Sequence, residues 1–267
     1  MKTISTILFA LLFLFVENSL AQSANNFEVK QNEAVHFEDW FLNKTMRFDF
    51  YHTGRADKEM FALDKVLNDG EWSGSRTILL DKLELGPYFF QVVDKATRTL
   101  IYSRGFASIF GEWQTTPDAN SGWGTFHESL RFPWPAKPVT VIVSKRDANN
   151  NFQPIWSKDV DPDYRQVIQN ASMHSEKVDV IVDNGPASEK VDIVILGDGY
   201  TADEMDKFKA DAKRLSNALL SAEPFASNKA KINIRAVETP ALQSGVTKPH
   251  HGVYKPSPLS VQYSTFD

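Results

Sequence analysis

The chain has 267 residues, a net charge of −5 and no cysteine. That mild acidity, without clustered Lys and Arg, argues against a nucleic-acid surface. Without thiols there are no disulfides, thiolate metal sites or cysteine nucleophiles, so stability must come from a core that 19 Phe, 6 Trp and 7 Tyr would make aromatic.

Residues 1–21 read as a targeting segment. Lys2 supplies the positive start, Ile7 to Val16 is an almost unbroken apolar run, and Ser19 and Ala21 place small residues at −3 and −1 of a cleavage site. The run is about ten residues, whereas a spanning helix needs roughly 20. A removable signal is therefore expected, leaving Gln22 as the mature N-terminus and no stable membrane anchor. The destination is the periplasm, the cell surface or the medium.

From Phe27 to Trp156 the pattern is that of strands. Met46, Phe48 and Phe50 alternate with Arg47, Asp49 and Tyr51, the period of a half-buried strand. Tyr88–Val93 and Thr99–Ser103 flank the turn Asp94-Lys95-Ala96-Thr97, and Val139–Ser144 and Phe152–Trp156 flank Asp147-Ala148-Asn149-Asn150-Asn151. Both read as hairpins. Pro133, Pro135 and Pro138 punctuate the approach to the second, since proline cannot donate to a central ladder. Many short strands with little helical periodicity predict an antiparallel β-sandwich over residues 22–158.

Residues 159–185 are polar and turn-rich and read as a linker. Asp159, Asp161 and Asp163 imitate the opening of a calcium loop, but Tyr164 and Asn170 stand where such a loop needs Gly and Glu. Residues 186–267 then change character. Val191 to Leu196 predicts a strand buried on both faces, and Gly197-Asp198-Gly199-Tyr200 a turn. Thr201 and Glu204 form a capping box. Met205, Phe208, Ala212, Leu215 and Leu219 follow at helical spacing as one buried stripe, and Ile232–Val237 is the next strand. This is a βαβ unit. The remainder to Asp267 is rich in Pro and Gly. One βαβ unit leaves too much apolar sheet bare, because a parallel sheet normally needs both faces covered. The expectation is an α+β chain: a sandwich followed by an incomplete α/β domain, as in a fragment or truncated product.

The chemistry can be tested by motif. A helical zinc site needs His-Glu-x-x-His; His127-Glu128 is the only His-Glu pair, and Arg131 stands where the second ligand must be. His250 and His251 are adjacent and loop-bound, so they cannot share a helical face. No Gly-x-Ser-x-Gly elbow and no P-loop is present, and Ala202 replaces the third glycine of a dinucleotide loop. Asp198 lies at the carboxyl end of a strand, where α/β ligand sites gather. No catalytic, cofactor-binding or metal-ligating residue is therefore expected in this chain. Trp113, Trp123 and Trp134, if exposed, would suit a binding surface for a glycan or host protein; core packing is the ordinary alternative.

Two blocks carry a family resemblance. Tyr102-Ser103-Arg104-Gly105-Phe106, Phe110-Gly111-Glu112-Trp113-Gln114-Thr115-Thr116 and Phe126-His127-Glu128-Ser129-Leu130-Arg131-Phe132-Pro133 form the first. The second runs from Val191 through Thr201 and on to Ile232–Val237. Together they resemble the secreted bacterial zinc metallopeptidases named for immunoglobulin A cleavage, the IgA-peptidase-like family. The resemblance implies an N-terminal β-sandwich module, the opening of a peptidase domain, and a protein or glycoprotein substrate. The family's zinc helix would lie beyond Asp267, so zinc is expected in a longer parent and this chain alone is expected to be inactive.

Overall fold

The computed structural model describes residues 29–31, 34–169 and 176–264. The targeting segment, Gln22, Asn170 and Asp267 lie outside the described residues. The fold is α+β, dominated by antiparallel sheet, with no closed barrel. It separates into two compact units, one comprising residues up to Glu71 with Arg76–Ala171, the other Trp72–Ser75 with the residues from Ser172 onward.

The first unit contains β1 (Phe41–Arg55), β2 (Lys58–Asn68), β3 (Tyr88–Asp94), β4 (Leu100–Phe106), β5 (Gly124–Pro135), β6 (Val139–Arg146) and β7 (Phe152–Val160). They form two antiparallel sheets, ordered β2–β1–β5 and β4–β3–β6–β7. The inner faces meet through aromatic rings. Phe48 and Phe50 of β1 lie 5.5 and 5.6 Å from the Trp156 ring of β7, and Phe132 of β5 lies 6.2 Å from Phe90 of β3. This is the expected sandwich. Met46, Phe48 and Phe50 are wholly buried while Tyr51 stays exposed, as their alternation predicts. Both hairpins form. Asp94 Oδ1 accepts bonds from the Thr97 amide and hydroxyl, and Asp147 Oδ1 accepts bonds from the amides of Asn149 and Asn151. Pro133 and Pro135 lie inside β5, which is tolerable because β5 is an edge strand with β1 as its neighbour.

The second unit contains β8 (Val178–Val182), β9 (Val191–Leu196), the helix Met205–Leu219 and β10 (Ile232–Val237). Its sheet is ordered β8–β10–β9, with β9 parallel and β8 antiparallel to β10. The strand–helix–strand expectation holds, and the capping box at Thr201 and Glu204 is made in both directions. Three details differ. The stretch read as a linker carries β8, a short apolar strand whose reason to form is its partner β10. In the helix, Ser216 rather than Leu215 takes the buried position, its hydroxyl bonding back to the Ala212 carbonyl at 2.8 Å; the stripe turns away from Leu215 because the helix covers a narrow sheet. Finally, β9 is not buried on both faces. Ile193 and Ile195 are half-buried, with Ile195 packing beneath the helix around Phe208, Ala212 and Ala236, while Val194 and Leu196 are 56% and 51% exposed. Val178 and Val180 of β8, paired across from Val237 and Arg235, are exposed as well. The helix protects one side of this sheet and leaves an apolar row on the other.

Candidate functional site

Three places in the described residues bring chemically capable side chains together. The first is buried in the sandwich. His52 continues the inward series Met46, Phe48, Phe50 along β1, and its side chain is wholly buried. Its ring lies between those of Phe61 and Phe110, each 4.0 Å away. Nε2 meets Glu59 Oε2 at 3.0 Å; Nδ1 meets Ser108 Oγ at 3.1 Å and Glu128 Oε2 at 3.5 Å. Tyr88 and Lys145 also donate to Glu59, and Ser108 donates to Glu128 Oε1 at 2.7 Å.

Burial alone would push the imidazole pKa down; hydrogen bonds and charge from Glu128 and Glu59 overcome it and hold His52 above its ordinary value. Burial likewise opposes ionisation of Glu59, yet His52, Lys145 and Tyr88 bring its pKa to about 2. Glu128 is held below its usual range against the same burial cost by His52, Ser108 and the Phe110 amide. Burial, then the Glu59 charge, pushes the Tyr88 hydroxyl up. Lys145 and, once protonated, His52 face the two carboxylates, which is how buried charge is made tolerable.

Ser108, His52 and Glu59 outline a nucleophile–base–acid series, but its protons run the wrong way. Ser108 gives its proton to Glu128 Oε1 rather than to the imidazole, whereas a nucleophilic serine would give it to its base. Ser108 is also buried and accepts the Gly111 amide at 3.1 Å as the cap of the helix Ile109–Trp113. The arrangement ties β1, β2, β5, β3 and β6 together. Residue typing by motif overlooked it; the signal was a histidine on the apolar period of β1.

The second place is the outer face of β1 and its neighbours, where Asp49, Asp64 and His127 bring ligand-type atoms within 4.8 Å of one another. They do not fit a zinc ion. Asp49 is already bound by Arg47 Nε at 2.9 Å and Nη2 at 3.0 Å and by the Ser129 hydroxyl at 2.8 Å. Lys65 Nζ stands 3.6 Å from Asp64 and 3.9 Å from Asp49, and Asp64 faces His127 Nε2 at 3.1 Å. Two fixed cations hold the place a metal would need. Burial raises the cost of charging Asp49, and Arg47 and Ser129 more than offset it, leaving its pKa lowered. His127 lies on strand β5 opposite Tyr51, so His127-Glu128 has no helical geometry. His250 and His251 sit exposed on the short turn Pro249–His251.

The third place is the turn after β9. Asp198 Oδ2 accepts the Ser257 hydroxyl at 2.6 Å and the Val261 amide at 3.0 Å, and Oδ1 accepts the Leu259 amide at 3.2 Å. Against the cost of burial, Ser257 and these amides keep its pKa below the usual carboxylate range. Of the three tryptophans considered as binding anchors, Trp134 is buried, Trp113 packs on Phe110 and Phe126, and Trp123 is 56% exposed.

Fold and sites together define a two-unit α+β protein: an antiparallel sandwich, then an α/β unit with an ordered turn at the carboxyl end of its first parallel strand. Family models match both modules, Peptidase M64 N-terminus over residues 36–157 and IgA Peptidase M64 over residues 180–267. The chain belongs to the IgA-peptidase-like M64 family, a metallopeptidase family. A comparison with curated proteins gives no match.

Proposed function

We propose that this chain supplies the accessory sandwich and the opening part of the catalytic domain of an exported zinc endopeptidase that cleaves proteins or glycoproteins. The chain's own residues do not hold the catalytic zinc. The observation that carries this reading is the apolar row Val178, Val180, Val194 and Leu196 on a sheet whose other side bears the helix. A parallel-type sheet is stable when both faces are covered, so this unit is read as one layer of a larger catalytic domain. The motif inspection supports it: no His-Glu-x-x-His occurs in the sequence, and the Asp49–Asp64–His127 group is neutralised by Arg47 and Lys65. Export follows from the reading of residues 1–21.

Metal analysis of the purified chain tests the assignment. Zinc well below one ion per chain, with no cleavage of a denatured protein substrate, is expected. Stoichiometric, tightly held zinc would overturn it and return attention to His127, His250 and His251.

A second reading, a sandwich that binds a glycan or host protein, is favoured by exposed Trp123 and by an open groove of about 420 Å³ lined by residues including Gln31, Lys82, Phe89 and Gln91. Aromatic faces and amide side chains suit such ligands. Saturable quenching of tryptophan fluorescence by a glycan, abolished by Trp123→Ala, would favour it.

A further inference from the structure

The run Gly197-Asp198-Gly199-Tyr200-Thr201, with Glu204 close behind, does more than reverse the chain. We propose that it is a clamp for the segment 241–263, a strap lying against the carboxyl end of β9, and that Asp198 is the clamp's positioning residue. On the peptidase reading, the strap bounds the place where α/β sheets receive their ligands, so Asp198 governs substrate access without touching the scissile bond. The clamp itself stands on the geometry alone.

The strap is gripped at both ends. Near its start, the Ala241 amide donates to the Tyr200 carbonyl and the Gly245 amide to the Gly199 carbonyl, both at 2.7 Å. Ser244 Oγ donates to Glu204 Oε1 at 2.9 Å, while Glu204 Oε2 receives the Thr201 amide of the capping box. Near its far end, Asp198 takes Ser257, Leu259 and Val261. In between, the strap is tied to itself. Thr247 Oγ1 exchanges bonds with the Lys255 amide and carbonyl, the Tyr263 amide reaches the Thr247 carbonyl at 3.0 Å, and Lys255 Nζ bonds the Ser244 carbonyl.

Two features of the sequence match this role. No Asp or Glu occurs from Thr239 to Ser264, so the carboxylates that hold the strap come from the turn. Gly199 has φ +75, and a Cβ there would stand 2.8 Å from the Gly245 carbonyl oxygen and 2.9 Å from Val246 Cγ1. Glycine is thus required both by its left-handed backbone and by the close approach of the strap. The ionisable groups sharing the junction are Glu204 on the turn and Lys255 on the strap. Glu204, like Asp198, is held below its usual range, by the Thr201 amide and then by Ser244.

Amide hydrogen exchange on the full chain tests the clamp. In Asp198→Asn the side-chain NH2 faces donors, and a charge-assisted bond is lost; exchange at Leu259 and Val261 should rise roughly tenfold or more. The amides of β10 should stay unchanged. Asp198→Glu, which keeps the charge, should recover part of the protection, and Ser257→Ala should give a smaller rise at the same sites. After correction for intrinsic rates, wild-type protection there should fall as pH drops through the lowered carboxyl pKa. Asp198→Asn should lack that step. Unchanged exchange at Leu259 and Val261 in both Asp198→Asn and Ser257→Ala would overturn the clamp, as would equal loosening of β10. None of these readouts uses proteolytic activity, so a failed clamp and a failed peptidase assignment are told apart.

Discussion

The sandwich and the second unit solve the same problem, hiding apolar sheet from water, with opposite success. In the sandwich each sheet is the other's cover: Phe48, Phe50, Tyr88, Val92, Phe132 and Val141 are almost wholly buried, and even the ions of the interior are matched in sign around His52. In the second unit one helix covers one face through Phe208 and Ala212, and valines and a leucine project from the other. At roughly 25 cal/mol per Å2 of buried apolar surface, a sheet buried on one face gains much less than a closed sandwich. Two modules of one chain thus differ in how far their sheets are covered among the described residues.

The largest effect should come from breaking the charge balance of the sandwich. His52→Ala removes the partner that Glu59 and Glu128 share in the interior and should cost about 3–5 kcal/mol, read as a lower denaturation midpoint of the sandwich transition. A loss under about 1 kcal/mol would show that the cluster is not held as ions.

The pH dependence sharpens the same point. The raised His52 pKa contributes stability that is full below its unfolded value of 6.5 and is lost as pH rises through the raised value. The lowered Glu59 and Glu128 contribute stability that is full above 4.5 and is lost as pH falls, for Glu59 toward about 2. Thermal melts should therefore peak between these limits. His52→Gln should flatten the alkaline limb and also shrink the acid limb, because His52 helps to hold Glu59 and Glu128 ionised. A wild-type melt that keeps rising well above pH 6.5 would contradict the assignment.

The smallest effect belongs to the bare face. Val194→Ser should change stability by no more than about 0.5 kcal/mol, as for an exposed site, whereas Val141→Ser in the sandwich should be severely destabilising. A cost above 1 kcal/mol at Val194, measured by denaturant unfolding, would mean that this face is covered after all.

Where one residue type repeated at the period of its element, sequence and structure agree: Met46, Phe48 and Phe50 on β1, the Asp-capped hairpins, and the Thr201–Glu204 box. Where the pattern was set by a distant partner, it was hidden. Lys58–Asn68 alternates little, and its strand exists because β1 lies beside it. Val178–Val182 is too short to announce itself without β10. Leu215 looked buried because periodicity cannot tell how wide a sheet the helix must cover. The His52 cluster draws on six separate segments, so no motif of adjacent residues could show it. The family resemblance was legible in contiguous blocks, and the role of Asp198 was not, since its partners lie some sixty residues further along.

Limited proteolysis of the whole chain at neutral pH, read by mass spectrometry, tests the central contrast most directly. The expected result is a long-lived product spanning β1 to β7, with early cuts between residues 176 and 264. Equal survival of the two regions would contradict the claim that the sandwich is complete in itself and the second unit is not.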